Sequence, residues 1–152
     1  MKTFAFLLIS LLLSLPLNAR NKIKVACVGN SVTYGYNLPD REHTAYPVQL
    51  QHMSGNDYEV QNFGHSGATL LFKGHNPYNK LPEFRAALNF KADVVIIHLG
   101  LNDTDPRNWP NYRDFFVKDY LKLIDTFREA NPAVRIIIAR MTPIADRHTR
   151  FL

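Results

Sequence analysis

Four short runs rich in β-branched or aromatic residues punctuate the chain. They cover residues 22–28, 58–61, 93–99 and 135–141. Short runs of this kind, ended by glycine, asparagine or proline, are typical of β-strands. The run at 93–99 is almost continuously apolar, which is typical of a strand that is covered on both faces.

The segments between these runs carry apolar residues at helical spacing. We predict helices over residues 45–53, 79–90 and 112–130, the last with large apolar residues every three or four positions. Strands that alternate with helices predict an α/β fold: a three-layer sandwich around a doubly wound parallel sheet with flavodoxin-like strand order. The alternation stops after the fourth strand, so we expect a domain that is truncated at its C-terminus.

The first nineteen residues have the layout of a targeting segment. Lys2 precedes an apolar run over residues 4–15, and the segment ends at the small residue Ala19. This layout is typical of a secretory signal peptide, and the run is too short to span a membrane comfortably. We therefore expect residues 1–19 to be a signal peptide and residues 20–152 to form one domain. The protein would be exported, to the periplasm or the extracellular space, with no membrane span after cleavage.

Charge and composition exclude several classes of function. The chain has 18 Lys and Arg against 13 Asp and Glu, and loss of Lys2 with the signal leaves 17 against 13, or +4. The basic residues are scattered, which argues against a nucleic-acid partner. The single cysteine, Cys27, lies in an apolar run and predicts a buried thiol. No spacing typical of a metal site or a phosphate-binding glycine loop occurs, so no metal or other cofactor is predicted.

Three segments that follow the first three predicted strands carry residue types suited to acyl transfer. The first contains Ser31, the second Gly67 and the third Asn102. Carboxyl ends of parallel strands share one edge of a sheet, where ligands bind, so we expect these residues to meet there. A serine hydroxyl can attack an ester carbonyl, while a glycine N–H and an asparagine amide can hold the oxyanion that forms. Each residue alone also fits a structural role, as a helix cap or turn residue.

In this order the three segments resemble the motif blocks of the SGNH hydrolases, also called GDSL-type esterases and lipases. The resemblance extends over residues 22–143. It implies that Ser31 is the catalytic nucleophile. It also implies an oxyanion hole made of the Ser31 N–H, the Gly67 N–H and the Asn102 side-chain amide.

The residue before the serine departs from the usual family pattern. Asn30 stands where most members have aspartate, as in exported carbohydrate esterases that include sialate O-acetylesterase-like proteins. We expect Asn30 to serve there because its side chain can bond nearby backbone. Together with His65 and Asp103, it is assigned to substrate binding. Five loop aromatics are candidates for stacking on a sugar ring: Tyr34, Tyr36, Tyr46, Tyr78 and Trp109.

The general base is the part of the site that the sequence leaves open. The resemblance implies an Asp-x-x-His block near the C-terminus, whose histidine activates the serine. The chain instead has Asp146-Arg147-His148, with one residue between the acid and the histidine, directly after the fourth predicted strand. His148 therefore does not match the block, and no other histidine has an assigned partner.

These observations predict a cofactor-free serine esterase acting on acyl esters, with acetyl esters carried by carbohydrates as the expected substrates. A lysophospholipase or acyl thioesterase of the same fold is one alternative. A catalytically inactive carbohydrate-binding remnant is another, since the base is missing. The last is a flavodoxin-like binding domain in which all three segments are structural turns.

Overall fold

The computed structural model describes residues 21–141, so the predicted signal peptide and the segment around His148 lie outside the described residues. Its four strands are β1 Ile23–Gly29, β2 Tyr58–Gly64, β3 Val94–His98 and β4 Arg135–Ile138. They form one sheet in the order β2-β1-β3-β4, and every neighbouring pair is parallel. This arrangement confirms the predicted doubly wound α/β fold, with β1 beside β3 at the switch point.

Helices lie on both faces of this sheet. The α-helices are α1 Ser31–Tyr34, α2 Arg41–Thr44, α3 Tyr46–Ser54, α4 Pro82–Phe90, α5 Trp109–Tyr112 and α6 Phe116–Ala130, with single 3₁₀ turns at Tyr78–Lys80, Asn102–Thr104 and Arg113–Phe115. Two helices begin later than predicted. Pro82 starts α4 because its fixed φ suits the first turn. Before α6, Tyr112 leaves the helical region with φ −130°, which separates α5 from the turn that follows.

Two strand ends also differ from the sequence prediction, and in both cases the neighbouring strand explains it. β2 continues past residue 61 to Gly64, because its last residues pair in register with the end of β1 at Gly29. β4 stops at Ile138, which lies opposite Ile97, one residue before β3 itself ends. Local sequence carries no signal for either limit.

The two faces of the sheet bury different residues. Ala26 and Val28 point to the face covered by α4 and α6, where Leu123 and Phe127 complete the main core. The opposite face holds Cys27, which is covered from the α3 side by Tyr46. The predicted burial of the Cys27 thiol is confirmed, and this burial raises its pKa to about 11.

The β4 edge of the sheet differs from the rest of it. Ile137, Ile138 and Met141 are 46%, 56% and 44% exposed, although they are apolar. We call these three residues the β4 edge. Within residues 21–141, the helices are all too short or too polar to cross a bilayer.

Candidate active site

The loops after β1, β2 and β3 meet at one edge of the sheet and enclose a cleft of about 260 Å³. Its lining residues are Ser31, Tyr36, Ser66, Gly67 and Asn102. The fold therefore brings together the three residues that the sequence assigned to catalysis. Their roles as nucleophile and oxyanion-hole donors stay predictions at this point.

Ser31 lies at the first position of α1, directly after a tight exit from β1. A Cβ at Gly29 would overlap the Thr33 side chain and lie 2.9 Å from the His98 carbonyl oxygen, so only glycine fits. Asn30 caps the helix, since its Oδ1 accepts a hydrogen bond from the Val32 N–H at 3.0 Å. This geometry places the Ser31 side chain at the cleft with its own N–H at the start of a helix.

The geometry does not support the assignment of Asn30 to substrate binding. The residue is 1% exposed, and its side chain bonds the helix backbone, as the expected backbone-bonding role requires. Its Nδ2 has no hydrogen-bond partner among the described residues. Asn30 shapes the turn that carries the serine and does not reach the cleft.

Gly67 faces Ser31 across the cleft and has a left-handed backbone. Its φ is +81°, while a Cβ there would meet only Asn76 Nδ2 at 3.6 Å. Glycine is thus favoured by the backbone angle and not by lack of space. Within residues 21–141 neither the Gly67 N–H nor the Ser31 N–H donates to a protein acceptor. Two free donors at one cleft are what an oxyanion hole needs.

Asn102 supplies the third polar group. It lies in the 3₁₀ turn after β3 and is buried, and its Nδ2 donates to the Ala68 carbonyl at 2.9 Å. A primary amide has two N–H donors, so the second remains for a ligand in the cleft. The bond to Ala68 also ties the Asn102 turn to the loop that carries Gly67.

Asp103 does not line the cleft, and the geometry does not support its assignment to substrate binding. The residue is fully buried, and its two carboxylate oxygens accept hydrogen bonds from the N–H groups of Leu70 at 2.9 Å and Leu71 at 2.7 Å. Burial raises the pKa of Asp103, and these amide donors act in the opposite direction. Each carboxylate oxygen thus bonds a backbone N–H in the interior, and burial keeps the group from the cleft.

His65 also lies away from the cleft, and its assignment to substrate binding is not supported. Its N–H donates to the Gly29 carbonyl at 3.0 Å, and its Nδ1 lies 3.0 Å from Glu83 Oε1. Burial alone would raise the pKa of Glu83, but the hydrogen bond with His65 is part of a set that lowers it. The pair connects the residue that follows β2 to α4.

Ser66 is a cleft residue that the sequence reasoning did not single out. Its Oγ is buried and has no hydrogen-bond partner within the described part of the chain. A serine beside a glycine in a loop is too common to be noticed, and only its place in the cleft distinguishes it. Tyr36, which the sequence marked for stacking, is 62% exposed at the mouth of the same cleft.

None of the histidines in residues 21–141 lines this cleft. His98 ends β3 and is buried, and this burial lowers its pKa. His148 lies outside the described residues. In the same part of the chain, no cluster of three or more His, Cys, Asp or Glu side chains could hold a metal ion.

The family of this chain follows from comparison with known sequences. The model of the GDSL-like lipase/acylhydrolase family matches residues 27–151. The chain belongs to this family. It is also 44% identical over 122 residues to an acetylxylan esterase of Xylanibacter ruminicola. The match covers 79% of this chain but only 25% of that relative, so the chain spans a quarter of the length of the curated protein it matches.

Solved structures of two carbohydrate esterases share the fold. A family two carbohydrate esterase from Clostridium thermocellum, solved with cellohexaose, superposes with a TM-score of 0.62 and 20% identity, over 84% of this chain and 45% of that one. A family two carbohydrate esterase from Cellvibrio japonicus gives 0.59 and 17%, over 88% and 46%. At these identities the likeness concerns the fold, with its parallel sheet and the loops at its carboxyl edge.

Proposed function

We propose that this chain carries the nucleophile and the oxyanion hole of a serine esterase that removes acetyl groups from carbohydrates. The observation that carries the proposal is the meeting of Ser31, Gly67 and Asn102 around one cleft, where the N–H groups of the first two have no protein acceptor within residues 21–141. Family membership and the 44% identical acetylxylan esterase support the same chemistry and the carbohydrate substrate.

The reaction follows from the proposed roles. Ser31 Oγ attacks the ester carbonyl carbon, and the carbonyl oxygen becomes an oxyanion that accepts hydrogen bonds from the Ser31 N–H, the Gly67 N–H and the Asn102 amide. The intermediate collapses, the sugar hydroxyl leaves with a proton, and an acetyl-serine forms. Water then attacks this ester, which releases acetate and restores the serine.

The Ser31 proton must pass to a base during the attack. No histidine of residues 21–141 lines the cleft, so the proposal places this base outside the described part of the chain. The same observation favours a second candidate function, a binding domain that recognises acetylated carbohydrate without hydrolysing it. The two functions share the cleft and differ in turnover.

The cleft favours a short acyl group over a long one. Four of its five lining residues are serine, glycine or asparagine, and the fifth, Tyr36, carries a hydroxyl. A lysophospholipase or a long-chain thioesterase would need an apolar channel for the acyl chain. The described cleft has no such wall, so acetyl esters are preferred over the long-chain alternatives.

The test compares Ser31→Ala with Ser54→Ala, a serine at the end of α3 outside the cleft. Turnover of 4-nitrophenyl acetate and 4-nitrophenyl octanoate is measured for each chain. The proposal expects faster hydrolysis of the acetate and a loss of at least about 100-fold in Ser31→Ala alone. Turnover that survives in Ser31→Ala would refute it. Binding of an acetylated xylo-oligosaccharide without turnover, unchanged in Ser31→Ala, would favour the binding domain.

We also propose that residues 1–19 direct export of the chain. The support is the sequence layout of a basic start, an apolar run and a small residue at Ala19. N-terminal sequencing of the protein recovered from the periplasm or the medium tests it. A mature chain that starts at Arg20 is the expected result, and an intact Met1 on the exported chain would contradict it.

A further inference from the structure

Carboxylates hold three consecutive backbone N–H groups in the loop after Gly67. Asp103 accepts from Leu70 and Leu71, and Asp119 of α6 accepts from the Phe72 N–H at 2.8 Å. Hydrogen bonds from N–H groups to a carboxylate are about twice as strong as those between neutral groups. The loop is therefore attached to two separate elements through its backbone.

Asp103 is the attachment nearest to the cleft. It follows Asn102 directly in the chain, and the Asn102 side chain donates to the Ala68 carbonyl. Residues 102 and 103 thus contact the loop at three points between residues 68 and 71. Gly67, which precedes this stretch by one residue, carries one of the proposed oxyanion donors, while Asn102 carries another.

Two of the three donors of the proposed hole, the Gly67 N–H and the Asn102 amide, therefore belong to segments that Asp103 joins. A hole works when its donors lie about 2.7–3.1 Å from the place of the oxyanion, so small changes in their separation matter. Asp103 itself is fully buried and does not line the cleft, whereas its chain neighbour Asn102 does. It cannot contact a substrate, but it can set where the donors stand.

We propose that Asp103 is a positioning residue that sets the separation between the Gly67 N–H and the Asn102 amide. The proposal rests on the proposed function for its catalytic consequence. Its geometric content, the relation between two donors, does not depend on turnover.

Asp119 provides a matched control. Its carboxylate also accepts a backbone N–H of this loop, a single one at Phe72, farther from Gly67, and it comes from α6 and not from the Asn102 turn. If Asp103 acted only by stabilising the loop, loss of either carboxylate would have the same kind of effect. If Asp103 positions the donors, loss of its carboxylate changes kcat and the donor signals, whereas loss of the Asp119 carboxylate does not.

The experiment compares the full 152-residue chain with Asp103→Asn and Asp119→Asn. Asparagine keeps one acceptor oxygen and places an NH₂ group against the second N–H. Thermal melts measure the loss of stability. Turnover of 4-nitrophenyl acetate gives kcat and KM, and ¹H–¹⁵N spectra follow the Gly67 N–H and the Asn102 side-chain amide.

The proposal expects Asp103→Asn to lower kcat about 10- to 100-fold and to change KM less than about threefold. This fall in kcat is smaller than the fall expected when an oxyanion donor is deleted. The Gly67 and Asn102 signals move in the same variant. Asp119→Asn keeps kcat within about twofold and leaves both signals in place, even if its melting temperature falls as far as that of Asp103→Asn. Equal effects of the two variants on kcat and on the signals would overturn the proposal.

Two further arms keep the test decisive. If Asp103→Asn does not fold, Asp103→Glu retains the charge but moves the carboxylate by one methylene, and a wild-type kcat and spectrum in it would overturn the proposal. If the wild-type chain has no turnover, or Ser31→Ala retains it, the proposed function fails. The two amide signals then decide the positioning role by themselves: movement in the Asp103 variant supports it, and unchanged signals overturn it.

Discussion

Two regions at the border of the sheet differ in which side chains they bury. At the loops after β2 and β3, here called the loop end (residues 65–72 and 99–108), polar side chains are buried. They are Thr69, Asn102, Asp103, Asp105 and Asn108. At the β4 edge, apolar side chains are exposed, including Ile138 at 56%.

Hydrogen bonding explains how the loop end tolerates this burial. A buried polar group costs free energy unless it finds a partner, and these side chains find theirs mainly in backbone groups of the neighbouring loop. Asn108, for example, donates to the Asn102 carbonyl at 3.0 Å and accepts from the His75 N–H at 3.0 Å. The difference teaches that specific hydrogen bonds organise the loop end, whereas packing within residues 21–141 leaves the side chains of the β4 edge largely exposed.

The largest effect we expect at the loop end is on catalysis. Asn102→Ala removes one proposed oxyanion donor and should lower kcat about 10²- to 10³-fold, or about 2.7–4 kcal/mol. Asn111→Ala is the control, because that asparagine is exposed on α5 and donates only to the Arg107 carbonyl. Steady-state kinetics with 4-nitrophenyl acetate measures both variants. A wild-type kcat in Asn102→Ala would contradict the proposed oxyanion donor and would leave Asn102 with a structural role alone.

A smaller effect is expected from the ionised group at the far side of the loop end. The hydrogen bond from the Arg107 side chain, followed by that from the Arg107 N–H, holds the pKa of Asp105 well below the ordinary value of 3.8. A lowered pKa in the folded state means stability that is present above the unfolded pKa and is lost as pH falls through the folded one. Asp105→Asn should therefore lower the melting temperature at pH 7.

The pH series makes this prediction specific. The difference in melting temperature between wild type and Asp105→Asn should shrink as the pH falls from about 4 towards 2. Asp125→Asn is the control, since Asp125 and Arg128 form an exposed pair that should contribute little at any pH. A difference that stays constant across the series would show that Asp105 acts through shape and not through charge.

The smallest effect on folding is expected at the β4 edge. Ile138→Lys should change the free energy of unfolding by less than about 0.5 kcal/mol, because that side chain is largely exposed. It should also reduce aggregation, since an exposed apolar strand edge promotes association between chains. Light scattering on concentrated samples, together with thermal melts, measures both properties.

Ile136→Lys is the matched control on the same strand. Ile136 packs against the core, so a charge there should destabilise the chain strongly. If Ile138→Lys destabilised the chain as much as Ile136→Lys, the contrast between an organised loop end and an unconstrained β4 edge would be lost.

Much of the fold could be predicted from the chain by itself. β-branched runs such as residues 93–99 strongly favour a buried strand. Their alternation with segments of helical periodicity predicts a parallel sheet. The meeting of Ser31, Gly67 and Asn102 at one edge follows from that topology, because each stands directly after a strand. Element limits were harder, since the end of β2 depends on its pairing with β1.

The direction of each polar side chain could not be predicted in the same way. Asn30, His65 and Asp103 stand beside the cleft residues in sequence, and all three were assigned to the substrate. In the fold, the first caps α1, the second pairs with Glu83, and the third binds Leu70 and Leu71. Neighbouring residues in a turn point to different sides, and only the surrounding backbone decides which side is solvent.

The sequence by itself determined the strands, their order of appearance and the residue types placed at their ends, because these depend on local composition and on spacing along one chain. The tertiary structure alone decided which of those polar groups face the cleft and which hold the loops together. That choice depends on unpaired N–H and C=O groups brought close from distant parts of the chain. Asp103 and the loop that it binds, more than thirty residues earlier, are the clearest case.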